Sequence, residues 1–227
     1  MPLERILIVF VKYPEAGCVK TRLAQSIGND KAVSVYRLFV ELLLKRTKNM
    51  SSERFIFYAP ADKREQISSW LDHSSKLFPQ KGDNLGERMS NAFQFSFAEG
   101  AREIVIVGTH IPFLDEEIIL RAFKKLKNRQ CVIGPSFEGG YYLLGLSHFD
   151  GRIFQGINWG TDKVLDQTLG VVKRLGLTCS LLEKLFDVDD IEDLLRLRLS
   201  LRRYRKAGSH ELDFLSDRLD ELSLNTK

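Results

Sequence analysis

The chain has 227 residues, a formal net charge of +4 and an apolar fraction of 44%. That length allows one large α/β domain with a sizeable core, so no disulfide or metal staple is required. The longest purely apolar run, Ile6–Val11, falls far short of the about 20 residues that cross a bilayer, and the mild positive excess is not by itself a nucleic-acid signature. Cys18, Cys131 and Cys179 lie far apart with no CxxC pair. Such a sparse, odd set fits a reducing compartment, the cytoplasm.

Ile6–Val11 follows Glu4 and Arg5 and ends in Lys12 with no small-residue cleavage site, so it reads as a buried first strand rather than a signal peptide. A helical stretch starts near Lys20 and breaks at Gly28-Asn29. Asp30 then caps a longer helix carrying Val33, Tyr36, Leu38, Val40 and Leu44. Arg54–Tyr58 is the second strand. Asp62 and Glu65 have the spacing of a capping box before a helix through Trp70. Lys76–Phe78 is a short third strand, and Leu85–Ala98 a helix with Leu85, Met89, Ala92, Phe93 and Phe97 near one face. Glu103–Val107 is a strong β-branched strand, and Asp115 caps the helix after it. Cys131–Gly134 and Tyr141–Leu146 are strands on either side of a glycine-rich turn. Thr161 opens a helix to Leu169, and Thr178–Leu182 is a last strand.

Alternating strands and helices predict βαβ units and a mostly parallel sheet over residues 1–190. Such sheets bind ligands beyond the carboxyl ends of their strands. A helical extension, 191–227, follows. Leu194, Leu197, Leu201 and Tyr204 form one apolar stripe, and Leu212, Leu215, Leu219 and Leu222 another, with a turn at Lys206–Ser209 between them. Its arginines read as a solvated face. No aromatic platform accompanies them, so nucleic acid is not expected as a partner. Self-association through these helices is.

The carboxyl-edge loops carry the candidate chemistry. After the first strand, Pro14, Gly17, Lys20, Thr21 and Arg22 combine a turning glycine, free helix-start amides, a point charge and a guanidinium fork, a set suited to phosphate. Val19 stands where a P-loop needs glycine. Gln80 and Asp83 lie in a polar loop fit to read a base or ribose, where Asp83 or Asn84 equally reads as a helix cap. Gly108-Thr109 brings His110 to the ligand edge, where it reads either as a functional side chain or as a hydrogen-bonded structural histidine. Glu138-Gly139-Gly140 reads either as close backbone approach to a ligand or as a tight hairpin turn. Asp187, Asp189, Asp190 and Asp193 precede a helix they would cap.

In order, Lys12-x-Pro14-x-x-Gly17-x-x-Lys20-Thr21-Arg22-Leu23, Gln80 through Met89, Gly108-Thr109-x-x-Pro112, Gly134 through Gly145, Asn158-Trp159-Gly160-Thr161 and Asp187-Val188-Asp189 resemble the radical-SAM/selenodomain-associated transferases. That family is assigned to the nucleotide-diphospho-sugar transferases, and the motifs also resemble phospholactate guanylyltransferases. The resemblance implies a three-layer, GT-A-like fold and a nucleotide or nucleotide-diphospho-sugar ligand held by Pro14, Gly17, Lys20, Thr21, Arg22, Gln80, Asp83, Gly108, Thr109, Gly139 and Gly140. It also implies a divalent metal, Mn²⁺ or Mg²⁺. His110 stands where the family has an aspartate, and Glu138 where it has a shorter acid, so His110 and Glu138 are the expected metal residues, with Asp187 or Asp189 as further ligands. Mg²⁺ prefers oxygen and imidazole suits softer ions, so His110 weakens ordinary Mg²⁺ dependence. Glycosyl transfer, nucleotidyl transfer and non-catalytic nucleotide binding all follow from this pattern.

Overall fold

The computed structural model describes residues 4–71, 75–205 and 210–222. Seven strands, β1 (Arg5–Lys12), β2 (Glu53–Ala59), β3 (Lys76–Pro79), β4 (Glu103–Val107), β5 (Cys131–Pro135), β6 (Tyr141–Leu146) and β7 (Cys179–Leu181), form one sheet. Its order is β3-β2-β1-β4-β6-β5-β7. Only β6 is antiparallel to its neighbours β4 and β5. A short turn joins β5 to β6, and so tight a link permits a hairpin but no crossover.

The helices are α1 (Thr21–Ile27), α2 (Asn29–Arg46), α3 (Arg64–Trp70), α4 (Leu85–Ala98), α5 (Glu116–Leu126), α6 (Val164–Arg174), α7 (Ile191–Arg205) and α8 (His210–Glu221). Side chains alternate across β1. Leu7, Val9 and Val11 face α2, α3 and α5, whereas Ile6 and Ile8 face α4 and α6. Both faces are covered, which explains why β1 and β4 read as continuous apolar runs rather than alternating ones. A third apolar cluster lies on the outer side of α2, where Leu23, Val35, Leu38 and Phe39 meet Leu194, Leu197 and Leu201 of α7 and Leu212, Leu215 and Leu219 of α8. No described helix is long and apolar enough to cross a membrane.

Several local expectations are corrected. Gly28, not Asp30, occupies the cap of α2, because its φ of 85° lets the chain break sharply after α1. Asp62 and Glu65 form no capping box, since Ala61–Lys63 is a 3₁₀ turn with no side-chain cap. Leu85 is exposed at the first position of α4, and Gly86 and Ser96 join the buried face instead. The helix after Thr161 starts at Val164 and runs to Arg174. Tyr204 is half exposed, although its ring lies 5.7 Å from that of Phe113 at a tilt of 45°. The turn expected at Lys206–Ser209 lies outside the described residues.

Candidate functional site

The site begins with how residues 185–190 are held. Leu185 is tied to the end of β5 and the β5–β6 turn (Phe137 N donates to Leu185 O, 3.1 Å; Leu185 N donates to Pro135 O, 3.2 Å), and Val188 N donates to His110 O at 3.1 Å. The segment is thereby laid across the carboxyl edge of the sheet, between the ends of β4 and β5. Val188 is fully buried in the third cluster, while Asp187 and Asp189 on either side line the cleft. This is the alternation of an extended chain.

The next acids have a different task. Asp193 Oδ2 accepts from the amides of Asp189 and Asp190, and Asp190 Oδ1 accepts from that of Asp193. That reciprocal pattern caps α7. The acidic run therefore divides: Asp190 and Asp193 cap, whereas Asp187 and Asp189 face the cleft.

Lys20 caps α1 from the left-handed region (φ 47°, ψ 44°), an uncommon place for a side chain of its size. Its ammonium is fully buried and donates to Val188 O at 2.6 Å and Asp189 Oδ1 at 2.9 Å. It also lies 3.1 Å from His110 Nδ1. Lys20 is therefore a buried counter-ion for the acidic segment, and it also lines the small hollow beside Thr21 and Arg22. Burial lowers its pKa, with Asp189 pulling the other way. Arg22 is more exposed and spans two carboxylates, 3.0 Å to Asp189 Oδ2 and 3.6 Å to Glu138 Oε2.

His110 Nδ1 lies 2.8 Å from Asp189 Oδ1. A single nitrogen cannot donate to Asp189 and accept from Lys20 at once. With a cation beside it and a carboxylate in front, the favourable tautomer carries the proton on Nδ1. The lone pair then sits on Nε2, on a ring 46% exposed that lines the cleft. The Lys20 charge first, and desolvation second, lower the His110 pKa, so the neutral ring is favoured at neutral pH. Burial pushes the Asp189 carboxyl up, but the His110 bond and the Lys20 charge outweigh it and hold it well below the usual carboxylate range.

Asp187 differs. Its Oδ1 is buried with no hydrogen-bond partner. Burial, reinforced by Asp189 and Glu138, pushes its pKa up to about 7. Ligand oxygens of Glu138, Asp187 and Asp189 all lie within 4.8 Å of one another. An unpaired buried oxygen beside two further carboxylates is a donor set suited to a hard divalent cation such as Mg²⁺ or Mn²⁺. Glu138 and His110 were the expected metal residues. Glu138 belongs to this trio, while His110 touches it through Asp189.

The cleft has a volume of about 570 Å³. Gln80, Asp83, Gly108, Thr109 and His110 line it. Gln80 Nε2 donates to the carbonyls of Phe57 (2.8 Å) and Val11 (3.4 Å), which fixes its loop to the sheet. Asn84, not Asp83, is the cap of α4, and accepts from Glu87 N. Thr21 lines a smaller adjoining hollow with Lys20, Arg22 and Lys12. Pro14 is buried and Gly17 lies exposed at φ 79°, neither lining the main cleft. Gly139 and Gly140 are not in its wall either. A Cβ at Gly139 would lie 1.9 Å from Asp162 O, so the glycine permits close approach of the backbone at Asp162. Lys12 and Arg88 do line the cleft, though the reading by loops singled out neither as a ligand residue.

A seven-stranded sheet of this order, with its site at the carboxyl edge, defines a mixed α/β, GT-A-like fold. Residues 42–161 match a family described as an uncharacterized protein conserved in bacteria (DUF2064), and the chain belongs to that family. The crystal structure of a "putative nucleotide-diphospho-sugar transferase" from Desulfovibrio desulfuricans G20 is 36% identical, covers 96% of each chain and superposes with a TM-score of 0.88. A 4-diphosphocytidyl-2C-methyl-D-erythritol synthase from Anaerococcus prevotii DSM 20548 has a TM-score of 0.57 at 10% identity, over 88% of this chain and 99% of that one. A nucleotidyl transferase from Methanothermobacter thermautotroptrophicus has a TM-score of 0.55 at 13% identity, over 87% and 98%. The last two likenesses are of fold alone. No curated protein matches the chain.

Proposed function

We propose that the chain is a transferase using a nucleotide-diphospho-sugar donor, with a divalent cation held by Glu138, Asp187 and Asp189. The convergence of these three carboxylates, with one buried oxygen left unpaired, carries the reading. The name of the 36%-identical Desulfovibrio protein supports the donor class. A cation held there would offset charge on a departing nucleoside diphosphate. Lys20 fixes Asp189 and the Val188 carbonyl, so the carboxylates are pre-positioned rather than mobile. With Nδ1 committed to Asp189, His110 Nε2 is free to accept a hydrogen bond from a substrate hydroxyl. The link to radical-SAM and selenodomain proteins, a cytoplasmic setting, a division between 1–190 and 191–227, and pairing of two chains through exposed Leu195, Leu199 and Phe214 belong to the same proposal.

Nucleotidyl transfer is the second reading. It is favoured by Lys12 and Arg88, cations lining the cleft that make no ion pair among the described residues. The deciding measurement is product identity with Mg²⁺ or Mn²⁺. Release of nucleoside diphosphate from a sugar nucleotide supports the first reading, and pyrophosphate from a nucleoside triphosphate the second. Neither product under any metal leaves a binding protein. His110→Asp restores the family carboxylate and is expected to raise Mg²⁺ affinity in calorimetry. Equal affinity in both proteins would remove His110 from the metal question.

A further inference from the structure

The cations around the cleft fall into two groups. Lys20 and Arg22 are engaged by Asp189 and Glu138, and Lys20 has no exposed side-chain surface. Lys12 and Arg88 also line the cleft, and neither has a carboxylate partner among the described residues. Lys12 ends β1, and its backbone amide is tied to Tyr36 Oη at 2.7 Å, so the base of its side chain is fixed while the ammonium is open. Arg88 is held by one atom: Nε donates to Gly82 O at 2.9 Å. That bond orients the guanidinium and leaves its two Nη groups uncommitted.

The loop that supplies Gly82 packs closely against the first turn of α4. Gly82 has φ 127°, and a Cβ there would meet the Glu87 side chain at 2.6 Å and the Arg88 amide at 2.9 Å. Asp83 N is bound by Glu87 Oε2 at 2.8 Å. An arginine oriented through Nε alone, lining a concave site and making no ion pair among the described residues, is arranged to receive a planar or tetrahedral oxyanion through its fork. A lysine at the adjoining strand end adds a point charge. The aspartates of the same wall, Asp83, Asp187 and Asp189, form no ion pair with either cation, so both remain available to an anionic ligand.

The geometry points to Lys12 and Arg88 as the residues that hold the ligand's phosphate chain, with Lys20 a positioning residue that touches no ligand. The inference deepens the nucleotide reading of this cleft, and takes from it only the identity of the anion.

Inorganic pyrophosphate is the probe, titrated calorimetrically into the full chain with and without Mg²⁺, at low and moderate salt. Lys12→Met and Arg88→Gln are each expected to weaken binding roughly tenfold or more, as loss of a charged hydrogen bond does. Arg88→Lys, which keeps charge but loses the fork, should fall between. Melting temperatures should match the wild type, which separates lost contact from lost fold. Unchanged affinity in either variant, or no pyrophosphate binding by the wild type, overturns the assignment. Binding is read without turnover. Absence of glycosyl transfer therefore leaves this assignment standing, and failure here leaves the carboxylate trio untouched.

Discussion

Two parts of one cleft handle positive charge in opposite ways. On the β4 side, Lys20 is sealed from solvent and fixed by Asp189 and a carbonyl. Elsewhere in the cleft, Arg88 is oriented by a carbonyl and, among the described residues, neither it nor Lys12 makes an ion pair. The first arrangement lowers the cost of burying charge by internal pairing. The second leaves charge available to a ligand. A motif lysine at a loop before a helix is therefore not evidence of ligand contact until its partners are known.

The sharpest break of that contrast is Asp189→Ala. It leaves the Lys20 ammonium buried without its carboxylate, and removal of one partner of a buried pair costs about 3–5 kcal/mol. A large fall in melting temperature is expected, and a fall comparable to an exposed substitution would show that Lys20 escapes to water. Lys20→Met should cost less, about 1–3 kcal/mol, because Asp189 keeps Arg22 and His110. Lys20→Gly tests the backbone separately. It relieves the left-handed strain of about 1–2 kcal/mol, so it should be more stable than Lys20→Met in denaturant titration.

A smaller effect is expected at Asp187, whose folded pKa of about 7 exceeds its ordinary value of 3.8. The folded protein holds that proton more tightly than the unfolded chain does. The resulting stability is complete below about pH 3.8 and is lost as pH climbs toward 7. Asp187→Asn removes the loss. Its melting temperature should therefore gain on the wild type steadily from pH 4 to pH 7. A constant difference across that range would mean Asp187 is ordinarily ionised. Smallest of all, Arg88→Gln should leave stability within about 0.5 kcal/mol.

The strands were legible because β-branched runs buried on both faces have few alternatives, and Glu103–Val107 matched to the residue. Helix starts were legible where a side chain makes the cap, as at Asp115, whose Oδ1 accepts from Ile118 N. They were not where backbone geometry makes it, as at Gly28. Within the site, local motifs located Lys20, Arg22, His110 and Glu138 but not their partners. Lys20 reads as a phosphate ligand when only its own loop is seen, and becomes a counter-ion only once Asp189 arrives from far along the chain. The signal that separates Asp187 and Asp189 from the capping acids was present: Val188 between them is apolar, and a polar–apolar–polar triplet in extended chain sends both acids to one side. Arg88 was hidden because the helical face of Leu85–Ala98 was read for its apolar stripe.

The third apolar cluster joins Leu23, just past Lys20, to Val188 and Leu194, on either side of Asp189. The bond between Lys20 and Asp189 spans 169 positions. Such closure is entropically costly and slow compared with local pairing. During synthesis the β1 loop emerges well before Asp189, so its lysine waits for that partner until all seven strands have been made. The Lys20–Asp189 corner of the cleft is thus a late contact, closed only after the whole sheet is available to support it.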